Sequence, residues 1–224
     1  MKKVGVYGCS GRMGQEVILA LKNHPKLELG CAISSKNIKD LESAEANSCD
    51  VWVDFSLPEA FNQIFTWTEK KKKPLVSGTT GLTKDQFDKI NSSAGTRPIL
   101  WSSNMSRGIS MFKKLIRELG NLEGFDFQIE EFHHKMKKDK PSGTAISLQK
   151  ELVTTLGKKH EVPEPVAIRG GGIFGIHRLY MMSPEETLTI EHQALNRSVF
   201  AKGSLFAAEK LLELKPGVYT LEDL

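Results

Sequence analysis

Three glycines at three-residue spacing stand between an apolar run and an amphipathic one near the start of the chain. Val4-Gly5-Val6-Tyr7 reads as a buried strand. Gly8-Cys9-Ser10-Gly11-Arg12-Met13-Gly14 follows, and then Met13, Val17 and Leu21 recur every four residues, with Pro25 ending the pattern. A strand, a glycine turn and a helix in that order force the helix N-terminus to face the turn. Gly8 permits a tight reversal, Gly11 lets backbone N–H groups approach a pyrophosphate, and Gly14 lets the helix pack close to the strand. The helix end adds a partial positive charge. Gly8, Cys9, Ser10, Gly11, Arg12 and Met13 are therefore candidate dinucleotide contacts, against the plainer alternative of a tight turn. Cys9 within the loop reads as a small filler rather than a nucleophile.

The alternation continues. Leu27 to Ile33 is a second strand, which completes a strand–helix–strand unit. Val51 to Phe55, Leu75 to Ser77 and Ile99 to Trp101 are further strands. Between them lie a helix begun by Pro58 with Phe61, Ile64 and Phe65 on its apolar face, and one capped by Thr83 and Gln86 that carries Phe87 and Ile90. Strands alternating with helices imply a parallel, Rossmann-like α/β sheet. After Asn104 the texture changes. One helix carries Phe112, Leu115, Ile116 and Leu119, and Phe125, Phe127 and Ile129 then alternate with polar residues as in a half-buried strand. A helix after Pro141 is expected to bury Ile146, Leu148, Leu152 and Val153 and to end at Gly157. Val166 to Arg169, His177 to Met182 and Thr187 to Glu191 are strands with few helices between them, which suggests a smaller α+β domain with an open mixed sheet. The expected division is residues 1–105, with a C-terminal helix in 197–224 packing back on them, and residues 106–196 for substrate and oligomer contacts.

The carboxyl edge of a doubly wound sheet is where ligands gather. Ser77-Gly78-Thr79-Thr80-Gly81 and Ser102-Ser103-Asn104-Met105 both follow strands on that edge. Gly78, Thr79, Thr80, Ser102, Ser103, Asn104 and Met105 are candidates beneath a nicotinamide, or ordinary strand-to-helix turns. The second strand ends Ile33-Ser34-Ser35-Lys36 without the carboxylate that binds the ribose 2′-hydroxyl of NAD. Hydroxyls and a lysine suit a 2′-phosphate, so Ser34 and Lys36 favour NADPH over NADH.

Composition narrows the partners. A formal net charge of +4 over 224 residues falls short of a dedicated nucleic-acid binder. No apolar run is long enough to span a membrane, and the glycines break any export signal after Met1-Lys2-Lys3. Cys9, Cys31 and Cys49 form neither a paired motif nor a zinc spacing, which points to a reduced, cytoplasmic compartment. Lys70 to Lys73 reads as exposed surface.

The densest chemistry runs from Glu130 to Ala145. His133 and His134 could supply a proton donor, and Lys137 a fixed positive charge or a second proton source. Ser142, Gly143 and Thr144 open a helix and would offer N–H groups and hydroxyls to a carboxylate. The competing readings are a solvated basic loop and a metal site; no suitably spaced third ligand stands out, so no metal is expected.

These segments together resemble the 4-hydroxy-tetrahydrodipicolinate reductase (dihydrodipicolinate reductase) family. The likeness is carried by Val4 to Gly14, Val53-Asp54-Phe55-Ser56 with Pro58, Ser77 to Gly81, and above all His133-His134 through Lys137, Asp139 and Pro141-Ser142-Gly143-Thr144-Ala145. The tail adds Arg169-Gly170, Gly175-Ile176-His177, His192, Arg197, Phe200 to Gly203 and Pro216-Gly217. The resemblance implies hydride transfer from a nicotinamide to a cyclic dicarboxylate in lysine and diaminopimelate biosynthesis. It implies His133 and Lys137 as catalytic residues, and His134, Gly143 and Thr144 as the substrate site. Gly8 to Met13, Gly78 to Thr80 and Ser102 to Met105 become cofactor contacts, and a homotetramer is expected. Domain closure about hinges near Asn104 and Arg197 would exclude water. One departure stands out: the stretch from Lys36 to Asp50 is short and polar where most members have a longer one, so a strand or helix of the first domain is expected to be missing. An aspartate dehydrogenase and a nucleotide sensor on the same scaffold are the competing functions.

Overall fold

The computed structural model describes residues 1–157 and 160–224. In chain order the elements are β1 (Lys2–Tyr7), α1 (Arg12–Leu21), β2 (Leu27–Ile33), α2 (Ala44–Ser48), β3 (Val51–Asp54), α3 (Pro58–Lys70), β4 (Leu75–Ser77), α4 (Lys84–Ser92) and β5 (Pro98–Trp101). Then come α5 (Arg107–Arg117), β6 (Asp126–His133), α6 (Gly143–Leu156), β7 (Val166–Arg169), β8 (Gly175–Met182), β9 (Thr187–Ala194), α7 (Ser198–Leu211) and β10 (Gly217–Tyr219). The chain divides into two compact units, Met1–Met105 with Arg197–Leu224, and Ser106–Asn196. No helix among the described residues is long and apolar enough to cross a membrane.

The first unit is a six-stranded parallel sheet in the order β10-β5-β4-β3-β1-β2. Its central strands are apolar on both faces, because helices cover both. On one face Val6, Val53, Val76 and Leu100 meet Val17 and Leu21 of α1 and Leu205, Ala208 and Leu211 of α7. On the other, Trp52, Leu75 and Ile99 meet Phe61, Ile64 and Phe65 of α3 and Ile90 of α4. Pro58 sits in the first turn of α3, and Thr83 with Gln86 forms a reciprocal capping box on α4.

Two features of this unit were not assigned in the sequence reading. The stretch after β2 is structured: a 3₁₀ turn at Ile38–Glu42 and the short α2 fold over the sheet, burying Leu41, Ala46 and Cys49. The Pro216-Gly217 turn leads into a sixth strand, β10, which pairs with β5. Three residues are too few for a readable alternation.

The second unit is a four-stranded sheet, β7-β6-β8-β9, in which β6 and β7 are parallel and the other pairs antiparallel. Helices α5 and α6 lie against one face, where Ile109, Phe112, Ile116, Leu148 and Leu152 meet Phe127, Ile129, Leu179 and Met181. The buried stripe of α6 is Ala145, Leu148, Leu152 and Leu156, whereas Ile146 and Val153 are exposed. At about 100° per residue those two share a flank roughly a quarter-turn from the stripe, outside the sheet contact. Leu115 of α5 is likewise exposed.

Candidate active site

A pocket of about 470 Å³ opens at the carboxyl edge of the parallel sheet, lined by the glycine loop, Ser34 and Ser35, Ile38, and Phe55 to Leu57 with Ala60 and Gln63 of α3. Gly8 has φ +81°, and a Cβ there would lie 2.6 Å from the Phe55 carbonyl oxygen; one on Gly14 would lie 2.3 Å from the Gly8 carbonyl. Only glycine fits either place. The N–H groups of Gly8 and Cys9 donate to the Ile33 carbonyl (2.9 and 3.0 Å), and that of Gly11 donates to Gly8 (3.0 Å). No side chain caps α1. The donors of its first turn, at Arg12 and Met13, thus point at the loop mouth beside exposed Ser10, the geometry that suits a phosphate. Cys9 packs part-buried against the core, as a filler would.

Other predicted cofactor residues fall into two groups. Ser34 lines the pocket, with its N–H and hydroxyl both donating to Asn37 Oδ1 (2.7 and 3.0 Å), and Lys36 lies exposed beside it. Thr80 and Ser103 are exposed, and Gly78, Ser102 and Asn104 half-buried. Thr79 and Met105, by contrast, have buried side chains. The Thr79 hydroxyl donates to Asp54 Oδ2 (2.9 Å), while Met105 belongs to the core. Thr79 and Ser77 hold Asp54, whose carboxyl burial pushes above the ordinary range despite those bonds. Their sequence positions at strand ends gave no sign of this inward turn.

In the second unit, the alternation of β6 runs past Ile129 to Glu131 and His133, so two polar side chains lie on the buried face. Glu131 is fully buried and His133 is 8% exposed. The Glu131 carboxylate bonds His133 Nδ1 through one oxygen. Its other oxygen accepts from Arg169 Nη2 (2.7 Å) and from the Ser142 N–H (3.1 Å). Burial pushes the Glu131 carboxyl up, but Arg169 and His133 outweigh it and hold it below its usual value. Burial also lowers the His133 imidazole, against the opposing pull of Glu131.

Helix α6 begins beside this group. Ser142 is its N-cap: the hydroxyl accepts from the Ala145 N–H (3.2 Å) and contacts His177 Nε2 (3.2 Å). The N–H, hydroxyl and carbonyl of this buried residue all have partners within the protein. The exposed helix tip is Gly143 with half-buried Thr144, and His134 and Lys137 lie half-buried in the turn after β6. Lys137 Nζ pairs with Asp139 Oδ1 at 2.9 Å. Burial raises the Asp139 carboxyl, but Lys137 and the Gly143 N–H outweigh it and hold it low.

His177 and His192 extend the cluster. His177 stacks edge-on to His133 at 5.2 Å, and burial, then the nearby His133, push its pKa down to about 3. His192 contacts the Ser106 hydroxyl at 3.0 Å through Nε2, and burial lowers it too. Glu131, His133 and His177 have donor atoms within 4.8 Å of one another. Both Glu131 oxygens are already engaged and Arg169 adds positive charge, an environment that disfavours a cation. Sequence reasoning gave Glu131, Arg169, His177 and His192 no role. The available signal was the period-two pattern that carries Glu131 onto the buried face with Phe127 and Ile129.

Comparison with known proteins gives a consistent picture. Residues 2–105 match the family model described as dihydrodipicolinate reductase, N-terminus, and residues 108–224 match the corresponding C-terminus. The 4-hydroxy-tetrahydrodipicolinate reductase of Bdellovibrio bacteriovorus is 46% identical over 221 residues, covering 99% of this chain and 95% of that protein. The enzyme of the same name from Caldanaerobacter subterraneus is 36% identical over 247 residues, covering 100% and 98%. Among solved structures, a dipicolinate-bound dihydrodipicolinate reductase from Paenisporosarcina sp. TG-14 superposes with a TM-score of 0.87 at 22% identity, covering 100% of this chain and 99% of that one. With both halves matched in order, and close relatives aligned along nearly their whole length, the chain belongs to the dihydrodipicolinate reductase family.

Proposed function

We propose that this chain reduces 4-hydroxy-tetrahydrodipicolinate to tetrahydrodipicolinate with a reduced pyridine dinucleotide, a step of lysine and diaminopimelate biosynthesis. The reading is supported by the relatives' shared name and by the dicarboxylate bound to the Paenisporosarcina enzyme. The observation that carries it is the tip of α6. Beside that tip the Asp139 carboxylate pairs with Lys137 Nζ at 2.9 Å, and the Gly143 N–H helps to hold its pKa low. A substrate carboxylate has the same needs: a cation, backbone donors, and the hydroxyl of Thr144.

Reactant and product differ by a hydroxyl replaced by hydrogen. A hydride enters, the hydroxyl leaves as water, and one proton is consumed. A bound nicotinamide supplies the hydride from its C4. His133 and Lys137 would deliver the proton, with His134, Gly143 and Thr144 orienting the dicarboxylate. His133 is held neutral by burial while the site is free; two substrate carboxylates nearby would raise its pKa and load it with the proton the reaction consumes. At the other end, the glycine loop and the first turn of α1 would hold the pyrophosphate. NADPH is the favoured dinucleotide, since the Ser34-Ser35-Lys36 edge offers hydroxyls and a cation and no carboxylate. A cytoplasmic homotetramer completes the reading. The uncovered face of the four-stranded sheet, with Val166 and Ile168 exposed, is the surface suited to self-association.

The test is dinucleotide oxidation with enzymatically generated substrate. His133→Gln and Lys137→Ala are each expected to lose about 100-fold or more in kcat, with circular dichroism and dinucleotide affinity unchanged. Turnover at the wild-type rate in both variants would sink the assignment. A lower KM for NADH than for NADPH would reverse the cofactor preference.

A further inference from the structure

We propose that Glu131 is the positioning residue of this site: one buried carboxylate fixes which ring nitrogen of His133 carries the resting hydrogen and anchors the tip of α6. The proposal rests on the reading of His133 as proton donor, and goes beyond it by naming what aims that donor. A carboxylate only accepts hydrogen bonds, so the ring nitrogen it touches must carry hydrogen. Glu131 touches Nδ1, which leaves Nε2 as the atom that exchanges the working proton. Gly175 lies next to that nitrogen: a Cβ there would stand 3.0 Å from His133 Nε2. The register brings the partners together, since Glu131 sits opposite His177 on β8 while His133 sits opposite Arg169 on β7.

The other half of the carboxylate has a second task. Its Oε1 accepts from the Ser142 N–H at 3.1 Å and from Arg169 at 2.7 Å, and Arg169 donates onward to the Asp139 carbonyl at 2.6 Å. The imidazole and the helix tip therefore hang on one group, with one donor on Oε2 and two on Oε1. An amide in its place has one acceptor oxygen. If that oxygen meets Nδ1–H, its NH₂ faces two donors; if it is turned the other way, the NH₂ faces Nδ1. Either orientation loosens one end of the site.

The first measurement needs no variant: ¹⁵N resonances of His133 in the full chain should report the neutral ring protonated at Nδ1. A ring protonated at Nε2 overturns the proposal. The second compares Glu131→Gln with wild type. The expected result is a fall in kcat of about 10²-fold, a smaller rise in KM for the dicarboxylate, and an unchanged dinucleotide dissociation constant. Glu131 favours the charged ring, so its loss should move the His133 limb of the kcat/KM profile to lower pH. An unmoved limb with near-wild-type kcat counts against the proposal. In a His133→Gln background, Glu131→Gln should add little further loss in kcat; a full additional 10²-fold loss there would show that Glu131 acts elsewhere. Retained turnover in His133→Gln alone would remove the proton role of that histidine, while the ring-nitrogen measurement would still decide what Glu131 does.

Discussion

Around the glycine loop the polar groups on offer are backbone N–H groups, and side chains are mostly kept out of the way. Around His133 they are side chains, each held by another buried polar group. Gly8 and Gly14 work through what they lack, whereas Glu131 works through two oxygens that must all be matched. The first region is contiguous: a strand, a turn and a helix start within fourteen residues. The second draws on β6, β7, β8 and the start of α6, so it exists only when the four-stranded sheet has formed in register. A backbone site should therefore break through strain, and a side-chain site through an unpaired charge.

The largest effect on stability should come from the second region. Arg169→Met leaves the buried Glu131 carboxylate without its cation, which costs about 3–5 kcal/mol. Urea unfolding should show the loss; a change under about 1 kcal/mol would mean that Glu131 is neutralised in other ways. Next is acid. The clustered histidines have folded pKa values below the ordinary 6.5, and burial pushes His177 down to about 3. The unfolded chain binds their protons first, so this stability is complete above pH 6.5 and drains away as the pH falls toward 3. The total should be on the order of a few kcal/mol. His177→Phe should flatten that part of the stability–pH curve, and an unchanged slope would contradict the assignment.

Gly8→Ala tests the first region. A methyl at φ +81° and against the Phe55 carbonyl should cost about 1–3 kcal/mol and weaken dinucleotide binding about tenfold. The His133 ring resonances should not move, which separates the two kinds of site. Smallest of all, Lys36→Ala should raise the KM for NADPH by about threefold and leave that for NADH unchanged, as befits one exposed charge on a phosphate. Equal effects on both dinucleotides would remove Lys36 from 2′-phosphate recognition.

Much of this was legible along the chain. The β1–glycine loop–α1 unit, the capping box of Thr83 and Gln86 and the His133-to-Thr144 segment are all local patterns. Each depends on residues within one or two turns of one another. Other features were not legible for equally physical reasons. Ile146 and Val153 look as apolar as Leu148, and only the angle at which α6 meets the sheet decides which are buried. Nothing along the chain shows that the Thr79 hydroxyl turns onto the buried Asp54 or that the Ser142 hydroxyl reaches His177.

What the sequence by itself determined is the order of elements, the place of the glycine turn and the residue types available for acid–base work. Only the tertiary structure decided that Glu131 faces His133, that Arg169 reaches it from thirty-eight residues away, and that Gly175 flanks His133 Nε2. The reason is that alternation within a strand is written in neighbouring residues. The register between strands is set by which long-range pairing buries the most side chains on one face, and a slip of one residue would turn Glu131 and His133 out to solvent.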